Sequence, residues 1–351
     1  MRKAFLVSLP ALFLALSAIA GTAQERVSAT CRREIAALCA AGNGAQRGAM
    51  RACIAQRYQS LSDECRAELR KRLQARREGR EAGLPAGAVE LAYGADPRQR
   101  LDLARPADTR TPAPLIVFVH GGGWTRGDKR QGAGEKPAFY TGIGHAFATV
   151  NYRLVPGVTP AEQAQDIAAA IALLRGKAGT LGLDPQRIVL MGHSAGAHLV
   201  ALVATDTRYL DAAGIPSSAI SGVVLLDGAG YDVSRQIAAG RAIARDIYAR
   251  AFGTDPARQS ALSPVTHAAA PNVGRWLILH AERRDDARDQ ATLLSAALTR
   301  AGARAAVVPV KNGTHMTINR DAGMAGTFVA EEIRRFLEPD RLNRERLARP
   351  S

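Results

Sequence analysis

The sequence predicts an α/β protein: an eight-stranded, mostly parallel sheet with helices on both faces, preceded by a small disulfide-stapled helical module. Three observations carry that expectation. Short apolar runs alternate with helical periods over most of the chain; all four cysteines lie between positions 31 and 65; and one strand-like run passes through a glycine-flanked turn straight into an alanine-rich helix. With 351 residues, 47% hydrophobic and 5% aromatic, the chain can build one large core and a small accessory unit, but not two full-sized domains.

Residues 1–23 read as a signal peptide. Arg2 and Lys3 open it, Ala4 to Ala20 is almost unbroken apolar sequence, and Ala18-Ile19-Ala20 or Gly21-Thr22-Ala23 supplies the small residues of a cleavage site. As a membrane anchor the run would barely reach the roughly 20 residues needed to span hydrocarbon. The expected destination is the periplasm or the exterior.

Cys31, Cys39, Cys53 and Cys65 fit that destination, and none follows them. An even number in a short stretch of an exported chain reads as disulfides. Intervening stretches of seven, thirteen and eleven residues lack the close pairs of a zinc site. Residues 25–78 look helical: Arg26 to Ala40, a turn at Gly42-Asn43-Gly44, then Gly48 to Gln59 and Leu61 to Arg77, with Ser60 and Ser62 as candidate caps. Folded as an antiparallel hairpin, this segment brings Cys39 to Cys53 and Cys31 to Cys65. It resembles the cysteine-rich repeat of Golgi apparatus protein 1 through Cys31, Glu34-Ile35, Leu38-Cys39, Cys53, Leu61-Ser62 and Cys65. That resemblance implies a stapled helical module and no chemistry.

The formal charge of +15 is uneven: residues 1–84 hold 15 Lys/Arg against 7 Asp/Glu. The positives are scattered arginines without interleaved aromatics, which reads as solvated helix surface and not as a nucleic-acid site. Weak attraction to an anionic envelope surface is the second reading. Nothing in the sequence sets the oligomeric state.

Residues 79–88, with Gly79, Gly83, Pro85 and Gly87, form a linker to a catalytic domain over 89–340; residues 341–351 are a basic tail. Strand-like runs follow at Val89–Tyr93, Leu101–Ala104, Leu115–His120, Ala146–Tyr152, Ile188–Met191, Ile220–Leu226, Trp276–His280 and Ala305–Val310. Helical periods separate them, notably Ala161–Arg175, Ala195–Ala204, Asp289–Ala301 and Gly326–Leu337. Strands alternating with helices of this length make a mostly parallel sheet covered on both faces.

Two motifs carry chemistry. Ile188-Val189-Leu190-Met191-Gly192-His193-Ser194-Ala195-Gly196 is a strand, a G-x-S-x-G turn and a helix start, the arrangement that exposes a serine nucleophile at a strained apex. His120-Gly121-Gly122-Gly123-Trp124 directly follows a strand; its backbone N–H groups can face a developing oxyanion. Gly121, Gly122 and the N–H of Ala195 are the oxyanion-hole candidates, with Gly123 serving the turn. A phosphate loop is excluded, because Asp128-Lys129 stands where Lys-Ser/Thr is required.

In this order the motifs resemble those of the hormone-sensitive-lipase-type and kynurenine-formamidase-like α/β-hydrolases, including xylan acetyl and feruloyl esterases, over roughly residues 88–340. The resemblance implies a triad in chain order Ser, Asp/Glu, His. Of seven histidines, His315 alone follows the last strand and precedes the final helix, where such proteins place the base. They place the acid in the loop after Trp276–His280, here Ala281-Glu282-Arg283-Arg284-Asp285-Asp286-Ala287-Arg288-Asp289. Glu282 sits too close to the strand end and Asp289 reads as a helix cap. Asp286 is the expected acid, with Asp285 as the alternative. An insertion over about 228–263, with helical stretches such as Arg235–Phe252 and with Tyr231, Tyr248 and Phe252, is expected to cover the site.

The implied activity is hydrolysis of carboxylic esters of small molecules, acetyl or feruloyl esters among them, through an acyl-enzyme and without metal or organic cofactor. An arylformamidase using the same groups is the nearest alternative. A catalytically silent binding module is the alternative from another class, and such proteins typically lack the serine or the base.

Overall fold

The computed structural model describes residues 28–39, 53–54, 56–71, 87–108, 110–239, 242–269 and 272–338. The expected signal peptide, most of the linker and the basic tail lie outside the described residues. The chain divides into two units, Met1–Glu78 and Gly79–Ser351.

In the first unit, a helix over Ala29–Cys39, a 3₁₀ turn over Tyr58–Ser60 and a helix over 63–71 enclose a small core of Cys31, Leu61 and Cys65. Disulfides join Cys31 to Cys65 and Cys39 to Cys53, as the hairpin expectation has it. Ser62 Oγ accepts the Cys65 N–H at 3.3 Å as a cap and donates to Glu34 at 2.8 Å.

The second unit is built on eight strands: β1 Val89–Ala92, β2 Arg100–Ala104, β3 Ala113–Val119, β4 Ala146–Val150, β5 Leu183–His193, β6 Ile220–Leu226, β7 Arg275–Ala281 and β8 Arg304–Val310. Their order is β1-β2-β4-β3-β5-β6-β7-β8, antiparallel at β1, β2 and β4 and parallel from β4 onward. Each expected apolar run is one of these strands.

Side-chain alternation explains why the sheet is covered twice. Leu115, Val117 and Val119 of β3, Ile188 and Leu190 of β5, and Trp276 and Ile278 of β7 join a core with the helices Pro160–Gly176, Ala195–Thr205 and Asp285–Arg300. Their neighbours Ile116, Phe118, Val189, Met191, Leu277 and Leu279 face the opposite core, under Lys136–Gly142, His315–Asp321 and Phe328–Leu337. Both faces of these central strands are apolar, the pattern of a buried parallel sheet.

Register sets up the site. Val119 pairs with Gly192, Gly192 with Leu225, Leu226 with Leu279, and Ala281 with Val310. The carboxyl ends of β3, β5, β6, β7 and β8 therefore finish along one edge of the sheet. Between β6 and β7 the insertion folds as helices Val233–Ala239, Ala242–Phe252 and Pro256–Ala261.

Candidate active site

Ser194 separates β5 from the helix Ala195–Thr205 at φ 57° and ψ −123°, in the left-handed region that costs a non-glycine residue. The flanking glycines make this turn sterically feasible. A Cβ on Gly192 would sit 2.3 Å from the Gly196 carbonyl oxygen, and one on Gly196 would sit 2.2 Å from that of Val119. The Ser194 N–H donates to Leu226 O at 3.1 Å, tying the turn to the end of β6.

The glycine loop passes directly beside this serine. A Cβ on Gly121 would lie 2.8 Å from the Ser194 Cβ. Gly122, Gly123 and Trp124 follow at φ 129°, 58° and 60°, so three consecutive residues hold positive φ. The Gly121 carbonyl accepts from His120 Nδ1 at 2.7 Å. Because C=O and N–H are antiparallel across a trans peptide, the Gly122 N–H faces away from His120. Trp124 is buried, donates through Nε1 to His198 Nδ1 at 3.3 Å and meets the rings of Tyr248 and Phe252 edge-on at 5.0 and 4.8 Å. The insertion helix Ala242–Phe252 thus braces the loop.

His315 heads the helix His315–Asp321, whose start is fixed by a reciprocal cap between Thr314 and Thr317. Its Nε2 lies 3.0 Å from Ser194 Oγ and its Nδ1 lies 2.7 Å from Oδ2 of Asp227. An ionised carboxylate can only accept, so Nδ1 carries the proton and Nε2 accepts from the serine hydroxyl.

Asp227 is the residue that sequence reasoning missed. It follows β6 directly at φ 46° and is buried. Its N–H donates to Leu279 O at 2.7 Å, its Oδ1 accepts the Ala281 N–H at 2.8 Å, and Arg284 Nη1 donates to its Oδ2. Burial would raise the Asp227 carboxyl, but the His315 hydrogen bond, the Arg284 charge and the Ala281 N–H outweigh it and bring it down to about 2.

Asp286, the expected acid, does not touch His315. Its Oδ2 accepts from Arg284 Nη2 at 2.8 Å and from Gln236 Nε2 at 3.2 Å. Asp285, the alternative, pairs with Arg288 at 2.8 Å. The reason is local: the helix begins at Asp285 and not at Asp289, which puts both carboxylates in its first turn, where they complement the helix dipole. Asp289 lies inside the helix beside Arg288 and does not cap it.

His193 and His198 are structural partners. His193 Nε2 donates to the His315 carbonyl at 2.9 Å, and its ring lies 4.6 Å from that of His315. Burial and the neighbouring His315 push His193 down to about 3, so it is a neutral donor. Burial likewise holds His198 down to about 4; its Nε2 donates to Leu262 O at 2.9 Å. The far end of the His315 helix is held by buried Lys136, whose Nζ donates to Asn319 O at 2.6 Å, and by Tyr140, whose hydroxyl donates to Ala322 O at 2.7 Å. With no carboxylate among these contacts, burial pushes the Lys136 amine down to about 7.

The BD-FAE family profile matches residues 101–287, more than half of the chain, including the glycine loop, Ser194 and Asp227. The chain belongs to the BD-FAE family. This BD-FAE member is similar to an isoprenylcysteine alpha-carbonyl methylesterase of Arabidopsis thaliana, 38% identical over 113 residues, covering 32% of this chain and 26% of the relative. It is also similar to esterase LipC of Mycobacterium tuberculosis, 35% identical over 33% of this chain and 30% of that protein. The matches thus span less than a third of these relatives' own length. Among solved structures, the thermophilic esterase Est2 of Thermogutta terrifontis superposes with a TM-score of 0.57 at 25% identity, over 72% of this chain and 92% of Est2.

Proposed function

We propose that the protein is an exported serine carboxylesterase working through Ser194, His315 and Asp227. The observation that carries this reading is His315, placed between the Ser194 hydroxyl at 3.0 Å and the Asp227 carboxylate at 2.7 Å. Proton, nucleophile and counter-charge then lie on one line, as nucleophilic acyl transfer requires.

His315 Nε2 takes the Ser194 proton as Oγ attacks the ester carbonyl. The N–H groups of Gly121, Gly122 and Ala195 receive the negative charge on the carbonyl oxygen. Collapse expels the alcohol, which takes the proton back from His315, and leaves Ser194 acylated. Water, deprotonated by the same nitrogen, releases the acid and restores the serine. Asp227 holds the imidazole in the working tautomer and stabilises its cationic form. The esterase names of the relatives support an ester substrate. Two disulfides in the first unit support an oxidising compartment.

Hydrolysis of p-nitrophenyl acetate, butyrate and octanoate by wild type and Ser194→Ala tests the reading. The wild type should turn over at least one of these esters, and the variant should lose at least ~10³-fold in kcat. Turnover surviving in Ser194→Ala would overturn it.

A further inference from the structure

Arg284 stands where the resemblance placed the acid, in the loop after β7, and it joins the reacting residues to the insertion. Its Nη1 donates to Oδ2 of Asp227, the same oxygen that accepts from His315, and to the Asp227 carbonyl at 3.2 Å. Its Nη2 is held at 2.8 Å by Asp286, which also accepts from Gln236 on the first insertion helix. Two donors on one oxygen bring Arg284 Nη1 to 2.8 Å from His315 Nδ1. Both nitrogens carry protons toward Asp227, so this approach is not a hydrogen bond but a close placement of a permanent cation against the imidazole.

We propose that Arg284 is a positioning residue: its guanidinium fixes the Asp227 carboxylate, and through it the His315 ring, and ties both to the insertion through Asp286 and Gln236. The proposal rests on the triad reading above. The charged and titratable groups against His315 are Asp227 after β6, Arg284 after β7 and His193 at the end of β5, with Asp286 paired to Arg284. Lys136 acts on His193 from the helix Lys136–Gly142. His193 is neutral and Asp286 is bound by Arg284 itself, so Arg284 is the cation set directly against the Asp227–His315 pair.

The test is kcat and KM for a p-nitrophenyl ester in wild type, Arg284→Gln, Arg284→Met and Arg284→Lys, with Ser194→Ala alongside. In Arg284→Met kcat should fall at least ~10-fold with KM little changed, because the Asp227 carboxylate loses the donor that fixes it. Arg284→Lys and Arg284→Gln, which retain an N–H donor for Asp227, should recover part of kcat, and they carry the test should Arg284→Met fail to fold. An unchanged kcat in Arg284→Met, or kcat no higher in Arg284→Lys and Arg284→Gln than in Arg284→Met, with Ser194→Ala inactive, overturns the proposal and leaves the triad standing. Turnover in Ser194→Ala overturns both.

Discussion

Nδ1 of His315 lies 2.7 Å from Oδ2 of Asp227, a carboxylate carried on β6, one strand away from the β7 loop where the sequence places the acid. Parallel register makes this exchange structurally cheap. Leu226 pairs with Leu279, so the ends of β6 and β7 are neighbours on one sheet edge, and a side chain from either can reach the same imidazole.

Asp227→Asn should lower kcat severely, on the order of 10⁴-fold as for the same exchange in a well-studied triad, because the amide cannot stabilise the imidazolium and can select the wrong tautomer. Asp286→Asn should stay within about tenfold of wild type, since it touches only Arg284 and Gln236. Steady-state kinetics of both purified variants checks the pair. The reverse ranking would return the role to the β7 loop.

Removing the donor behind His315 should cost less. His193→Leu leaves the half-buried His315 carbonyl without its 2.9 Å partner, a loss of about 1 kcal/mol, so kcat should fall several-fold, up to about tenfold. KM should move little, and His193→Gln, which retains an N–H donor, should recover part of the rate.

Lys136 should mark the pH dependence of stability. Its amine is lowered to about 7 in the folded chain against 10.5 for the ordinary group. Between those values the unfolded chain binds the extra proton, so this residue makes stability rise with pH across the window; its penalty is full below about pH 7 and relieved toward pH 10. The difference in Tm between Lys136→Met and wild type should therefore be most favourable to the variant near pH 6 and shrink as pH climbs to 9. A constant difference would contradict the assignment.

The two disulfides should appear as Cys31–Cys65 and Cys39–Cys53 in non-reducing peptide mapping of protein produced in an oxidising compartment. Cys31→Ser/Cys65→Ser should destabilise the first unit by about 3–4 kcal/mol, the chain-entropy scale for a closed loop of this length. Ester turnover by the same full-length chain should stay within about twofold of wild type, because Ser194, His315 and Asp227 all belong to the second unit. A collapse of turnover would tie the module to the site.

What the sequence disclosed was local or periodic. Gly192, Ser194 and Gly196 declare themselves because the turn excludes side chains at fixed offsets, and the central strands because a doubly covered sheet needs unbroken apolar runs. His315 is placed by chain order after β8. Asp227 was hidden because its partners are distant in sequence: His315 lies 88 residues away, Arg284 57 and Ala281 54. Read alone, it marks the boundary of the insertion. The available signal was a carboxylate ending the apolar strand Ile220–Leu226 just before Gly228-Ala229-Gly230, together with an arginine where the acid was sought. Asp285 and Asp286 misled because first-turn helix acids and loop acids look alike until the helix start is known.

Fluorophosphonate labelling followed by peptide mass spectrometry tests the central claim most directly, because the reagent reacts with a serine only when a base activates it. The account expects one adduct per chain, on the peptide containing Ser194, appearing in step with loss of ester hydrolysis and absent in both Ser194→Ala and His315→Ala. An adduct on another residue, or undiminished hydrolysis in a chain fully labelled at Ser194, would contradict it.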